Sequence, residues 1–123
     1  FSASDFFHIG CSNKIFIGEN VLIGSKVHIT DHAHGIYHGE SQSSPGTAPA
    51  ERRLTKDGFV KIGDNVWIGD GVVILPNVSI GNGSIIGANS VISKSIPENV
   101  IAVGIPAKVI KKWDKAAAKW IRV

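Results

Sequence analysis

The stretch IGDNVW-IGDGVV-ILPNVS-IGNGSI-IGANSV-I, running from Ile62 to Ile92, places an isoleucine at every sixth position: Ile62, Ile68, Ile74, Ile80, Ile86 and Ile92. Glycine follows four of them, at Gly63, Gly69, Gly81 and Gly87. Four residues beyond most of them comes a small or medium side chain: Val66, Val72, Val78, Ser84 and Ser90. A period of six is neither helical nor a plain strand alternation. It is the pattern of a chain wound into a β-solenoid, in which each rung is one short strand and one corner. The isoleucine points inward, and the residue before it points outward. The glycine after it is expected at the bend, where its permissive φ eases the turn.

Outward from this stretch the rhythm persists and then breaks. Ile17, Ile23 and Ile29 keep the six-residue step, with Val21 and Val27 at the small inward position. Ile9 precedes Ile17 by eight residues, so the phase slips near Asn13 and Lys14. Phe1, Phe6 and Phe7 read as part of an incomplete or capping turn. Residues 31–59 carry three histidines, two prolines, a serine-rich run and the cluster Glu51-Arg52-Arg53, and they read as a loop inserted into the solenoid. Unstructured connections of that length are uncommon and usually functional or disordered. After Ile92 the segment Val103-Gly104-Ile105-Pro106-Ala107 ends the repeats. Beyond it, Val109, Trp113, Ala116 and Trp120 fall at helical spacing, so residues 107–121 are expected to form an α-helix that covers the open end of the solenoid.

The outward positions Leu22, His28, Trp67, Val73, Ser79, Ile85 and Val91 include several large apolar side chains. Burying each of the larger ones is worth roughly 1.5–3 kcal/mol, and a contiguous exposed apolar patch marks an interface. A homo-oligomer is therefore expected.

Bulk properties exclude other classes. The net charge is +3 in 123 residues, with no basic run interleaved with aromatics, which gives no support for nucleic acid binding. No segment approaches the roughly 18–20 apolar residues of a membrane span. The single cysteine, Cys11, precludes an intrachain disulfide and makes a reducing compartment the default. The chain begins at Phe1 rather than methionine, so the lack of a leader pattern says little about targeting.

The run from Ile62 to Lys111, together with the Thr30-Asp31-His32-Ala33-His34-Gly35 motif, resembles the bacterial hexapeptide-repeat acetyltransferases, above all the galactoside, maltose and O-antigen acetyltransferases. The resemblance implies an all-β, left-handed parallel β-helix with three strands per coil, assembled as a trimer. The left hand comes from the resemblance alone, since parallel crossovers are otherwise right-handed. It makes residues 1–123 one β-helix acyltransferase domain, shortened before its first coils, with 31–59 as the inserted active-site loop and 107–121 as the capping helix. The implied reaction is acetyl transfer from acetyl-CoA to a saccharide hydroxyl in cell-surface polysaccharide biosynthesis, in the cytoplasm. A catalytic histidine is expected at His32 or His34, with His32 closer to the sugar acetyltransferase pattern. Imidazole titrates near neutral pH and suits general base catalysis. It would take the proton of an acceptor hydroxyl as that oxygen attacks the thioester, with a backbone N–H stabilising the oxyanion. Asp31 is a candidate for orienting the ring.

The same resemblance places the cosubstrate. Trp67 would line the pantetheine channel, Asp70 would lie near the reacting end, and Ala88 would meet the pantetheine arm through its backbone. Ser93 and Lys94 would sit beside the adenosine, and Lys111 would face the phosphates, assisted by Lys108 and Lys112. Ammonium groups compensate the charges of coenzyme A. Arg52 and Arg53 are candidates for contact with the acceptor or a neighbouring chain.

Other readings stay open. His8, His28 and His38 read as surface, outward-strand and loop residues. The zinc carbonic anhydrases that resemble this fold need three histidines, two of them on a later coil, and no histidine follows His38 here. Cys11 lacks a local basic partner and reads as structural rather than nucleophilic. An amino-sugar N-acetyltransferase and a catalytically silent β-solenoid binding module are the alternative functions. Ice binding would need ordered threonine arrays, which the mixed outward positions do not supply.

Overall fold

A computed structural model describes residues 1–123. The chain winds through four coils whose strands stack into three sheets, here called faces A, B and C. The first coil holds β1 (Ser2–Ala3), β2 (His8–Gly10) and β3 (Lys14–Ile17). The second holds β4 (Leu22–Ile23), β5 (His28–Thr30) and β6 (Phe59–Ile62), and the third β7 (Trp67–Ile68), β8 (Val73–Ile74) and β9 (Val78–Ile80). The fourth holds β10 (Ile85–Ile86), β11 (Val91–Ile92) and a single bridge from Ile96 to Ile80 before β12 (Val100–Gly104) returns to face A. Successive coils pair in parallel: Leu22, Trp67 and Ile85 are Cα partners on face A, His8, His28, Val73 and Val91 on face B, and Lys61 and Ser79 on face C.

The core is the line of aliphatic side chains that the period predicts. Ile23, Ile29, Ile62, Ile68, Ile74, Ile80, Ile86 and Ile92 are fully buried, stacked with Val21, Val27, Val60, Val66, Val72 and Val78. Ser84 and Ser90 also point inward. They are satisfied near the end of the stack, where Ser84 Oγ donates to the Pro97 carbonyl at 2.7 Å and Ser90 Oγ accepts the Gly104 N–H at 3.0 Å.

The glycines after the isoleucines work differently from the expectation. Gly63 and Gly69 do not adopt positive φ. A Cβ on Gly69 would lie 2.8 Å from the backbone nitrogen of Ala88 one coil on, so glycine permits close stacking of coils. The left-handed residue of each corner comes just before the next small inward residue: Asn20, Lys26, Asn65, Gly71, Asn77, Gly83, Asn89 and Asn99. Asparagine tolerates that conformation better than most residues with a Cβ.

The expected capping helix at 107–121 is absent. β13 (Ala107–Asp114) pairs antiparallel with β12, and β14 (Lys119–Arg122) pairs antiparallel with β13. The unpaired edge of β12 is a ladder of backbone donors and acceptors, and pairing it outweighs the helix propensity of the alanine run. Ala116–Ala118 instead form the hairpin turn, where Asp114 Oδ1 accepts the Ala117 N–H at 2.9 Å. Trp113 and Trp120, read as one helical face, are cross-strand partners whose rings meet edge-on with centroids 5.4 Å apart. The outward apolar residues also divide between faces: Leu22, Trp67, Ile85 and Ile101 on A, and Val73 and Val91 beside His28 on B. The indole of Trp67 faces outward, 52% exposed.

Candidate active site

The inserted loop leaves the solenoid at the corner between faces B and C of the second coil. Ile29 is in register with Ile74, and Val60 with Val78. Four positions separate Ile74 from Val78 and 31 separate Ile29 from Val60, so this corner holds 27 extra residues. Its two ends close on one another. Gly58 is buried, and a Cβ there would lie 1.9 Å from the Asp31 carbonyl oxygen. Above the neck, Ala33 and Thr55 exchange hydrogen bonds, and the Gly35 N–H donates to the Arg53 carbonyl at 2.7 Å.

Asp31 fills a socket made by the coil above. Ile9 and Ile29 are register partners 20 residues apart, whereas Ile74 and Ile92 are 18 apart. The two additional residues at Cys11–Asn13 turn three consecutive backbone N–H groups toward one point. Ser12, Asn13 and Lys14 donate to the Asp31 carboxylate at 2.9, 2.8 and 2.7 Å. This is an anion-binding nest of main-chain amides. Asn13 Nδ2 donates to the Gly58 carbonyl at 2.7 Å and ties the nest to the neck. Burial alone would raise the pKa of Asp31, but the Ser12 N–H, the His32 ring and the Asn13 and Lys14 N–H groups more than reverse it. The carboxylate is held well below its usual range.

His32 Nδ1 lies 2.8 Å from Asp31 Oδ1. An ionised carboxylate can only accept, so Nδ1 carries the proton and Nε2 presents its lone pair. Nε2 has no partner within the chain, and the side chain is 20% exposed. The ring lies near Gly10, where a Cβ would come within 3.5 Å of His32 Cε1 and 3.6 Å of His8 Nε2. His8 stacks on His28 with centroids 4.9 Å apart, and burial, then the neighbouring His8, lowers the pKa of His28. His34 is exposed, and its ring centroid is 6.3 Å from that of His32. Its carbonyl accepts from the Tyr37 hydroxyl and its backbone bridges Leu54, but its ring has no polar partner. Arg52 is engaged within the loop, donating to Thr47 O, Tyr37 Oη and Pro45 O at 2.9, 3.0 and 3.2 Å. Arg53 lines an open cleft of about 850 Å³ together with Ser12, Asn13 and Thr55.

The other expected site residues are dispersed. Trp67 lies on face A. Asp70 and Ala88 stack at the corner between faces A and B, where Asp70 Oδ1 accepts the Ser25 N–H at 2.8 Å and so ties two coils together. Ser93 and Lys94 are exposed at the B/C corner, two coils beyond Thr30 and Asp31. Lys111, on β13, is the Cα partner of Ile101 and Arg122, and with Lys108, the partner of Val103, it forms a cationic strip free of ion pairs; Lys112, the partner of the buried Val100, points to the other side of the strand. That strip and the exposed indole suit an anionic cosubstrate with an apolar arm. No cleft of this chain brings them together with His32. Sequence reasoning missed the nest at residues 12–14, Asn13 and Gly58. The phase slip before Ile17 was their one visible signal.

Residues 59–94 match the family model described as bacterial transferase hexapeptide (six repeats). The Escherichia coli (strain K12) protein WbbJ, whose name places it in lipopolysaccharide biosynthesis as an O-acetyl transferase, is 46% identical over 95% of this chain and 60% of its own length. A galactoside acetyltransferase solved in complex with coenzyme A superposes with a TM-score of 0.68 at 34% identity, over 89% of this chain and 56% of that one. The hexapeptide-repeat acetyltransferase VCA0836 from Vibrio cholerae O1 biovar eltor, solved with acetyl coenzyme A, gives a TM-score of 0.67 at 25% identity, over 89% and 62%. The chain thus spans less than two thirds of each of these relatives.

Proposed function

We propose that the chain is a hexapeptide-repeat acetyltransferase that transfers an acetyl group from acetyl-coenzyme A to a saccharide hydroxyl, with His32 as general base. The observation that carries this reading is the Asp31–His32 pair at 2.8 Å, with Nε2 left open. Acetyl-coenzyme A supplies the thioester carbonyl. Nε2 takes the hydroxyl proton as the acceptor oxygen forms its bond to the acyl carbon, and returns that proton to the departing thiolate sulfur. Asp31 positions the ring and stabilises the imidazolium that forms between those two events. It keeps its negative charge because the nest supplies three N–H groups. His34 has no such partner and sits outside this role.

Trp67 and Lys111 serve the cosubstrate from face A, and Ala88, Ser93 and Lys94 from the two edges of face B. Asp70 acts chiefly as a tie between coils. A second copy completes the site, because His32 and Trp67 lie on different sides of one chain. The apolar strip Leu22, Trp67, Ile85 and Ile101 meets that copy in a homotrimer of left-handed coils. The relatives' names favour a polysaccharide or lipopolysaccharide unit as acceptor, modified in the cytoplasm where acetyl-coenzyme A is made.

The test is release of free thiol from acetyl-coenzyme A with a panel of hydroxyl and amino sugars. Release that depends on a hydroxyl acceptor is expected. Release with amino sugars alone would make the protein an N-acetyltransferase, and no acceptor-dependent release would end the transferase reading.

A further inference from the structure

Face C carries a surface that the catalytic reading leaves unused. On its outer side Lys14 is the Cα partner of Phe59, and Phe16 of Lys61, so cations and aromatic rings alternate across β3 and β6. Directly opposed residues on neighbouring strands lie about 4.8 Å apart. Phe16 is 54% exposed and Phe59 37%, and with the two lysines they line a hollow of about 300 Å³. Lys61 also lines the next hollow along the same face, of about 540 Å³, with Ser79, Asn82 and Ser95, and Glu98 lines its far part, so the cationic stretch is the one between Lys14 and Lys61. The two hollows form one track running along the solenoid axis. No Asp or Glu occupies an outward strand position on this face, and neither lysine makes an ion pair. The track starts beside the catalytic corner, since the Lys14 N–H is itself one of the donors to Asp31.

These features specify an occupant. Two unpaired ammonium groups call for an anion. Exposed phenyl faces are electronegative and attract the C–H edges of a sugar ring. Hydroxyl and amide side chains further along match sugar hydroxyls. A second copy of this chain fits poorly: the outward strand positions of faces A and B offer apolar, histidine, hydroxyl and lysine side chains and no carboxylate to meet the lysines. We propose that face C binds the acceptor as an extended acidic saccharide, with its carboxylates at Lys14 and Lys61 and its ring faces on Phe16 and Phe59. This deepens the acetyltransferase reading and rests on it for the link to turnover.

The experiment measures binding by titration calorimetry without acetyl-coenzyme A, using oligogalacturonate and a maltooligosaccharide of equal length. Oligogalacturonate is expected to bind more tightly and to weaken with added salt. Lys14→Gln and Lys61→Gln should each weaken it by about tenfold to a hundredfold, the scale of one charge-assisted contact. Phe16→Ser should weaken both sugars. His32→Ala should leave binding intact while lowering the rate of acetyl transfer by about 10²–10⁴-fold, so a failure of the transferase reading does not disturb the binding result. Equal affinity for the two sugars, or wild-type affinity in both lysine variants, would overturn the proposal. So would a change in oligomeric state in those variants, which would make the face a subunit contact.

Discussion

Two corners between faces B and C occupy equivalent places in successive coils and do opposite things. In the third coil the chain passes from Ile74 to Val78 through Leu75-Pro76-Asn77 and simply turns. In the second coil it passes from Ile29 to Val60 through 27 additional residues and still re-enters in register. The difference lies in the neck. Asp31 and Gly58 meet at a separation that only glycine allows, so the stack sees a closed corner while the excursion above it is free to carry polar groups. Apolar stacking fixes where the backbone runs, and chemistry is placed where the stacking is interrupted without being broken.

Several substitutions would break or sharpen that contrast. The largest effect on stability should come from the plain corner. Ile74→Ala opens a cavity in a fully buried line and should cost about 2–5 kcal/mol in urea denaturation, with turnover per folded molecule unchanged. An equal loss of turnover would show that the two corners are not separable. At the functional corner, Gly58→Ala forces a Cβ against the Asp31 carbonyl and should cost about 1–3 kcal/mol, and here kcat should fall as well because the socket shifts. Asp31→Asn keeps the shape but sets an amide among donors and leaves a mismatch of about 1–3 kcal/mol. It should lower kcat with KM nearly constant, as expected if Asp31 positions the base. It should also change acid stability. The native pKa of Asp31 lies below the unfolded value of about 3.9, so its stabilisation is complete above that pH and is lost as pH falls below it. The asparagine variant should lack that part of the acid limb in a pH series of denaturation curves, and an unchanged limb would contradict the assignment. The smallest effect should come from the terminal hairpin, where Trp120→Ala removes an edge-to-face pair worth about 0.5–1.5 kcal/mol.

The same contrast explains what could be read in advance. Positions whose fate depends on a repeated apolar spacing were legible: the six isoleucines at the six-residue step from Ile62 to Ile92 are all buried, and the insertion and the slip before Ile17 fall where the period fails. The candidate histidine loop was legible for the same reason. Asp31 was a candidate for orienting the ring, but its direct contact with His32 at 2.8 Å was not legible, because neighbours on an extended strand point apart and only the nest at residues 12–14 turns this carboxylate inward. The division of the apolar strip was hidden too, since six-residue steps visit three faces in turn and a linear list merges them. At the C-terminus the spacing of Val109, Trp113, Ala116 and Trp120 suited a helix, while the deciding term was the open edge of β12, which belongs to the assembled solenoid and not to local sequence.

The most direct test of the account sets His32→Ala beside His34→Ala in acetyl transfer to a hydroxyl acceptor under saturating acetyl-coenzyme A. Loss of the base should lower kcat by about 10²–10⁴-fold for His32→Ala, while His34→Ala stays within a few-fold of the parent. Wild-type turnover in His32→Ala, or the large loss in His34→Ala instead, would contradict the claim that the buried carboxylate selects the catalytic imidazole.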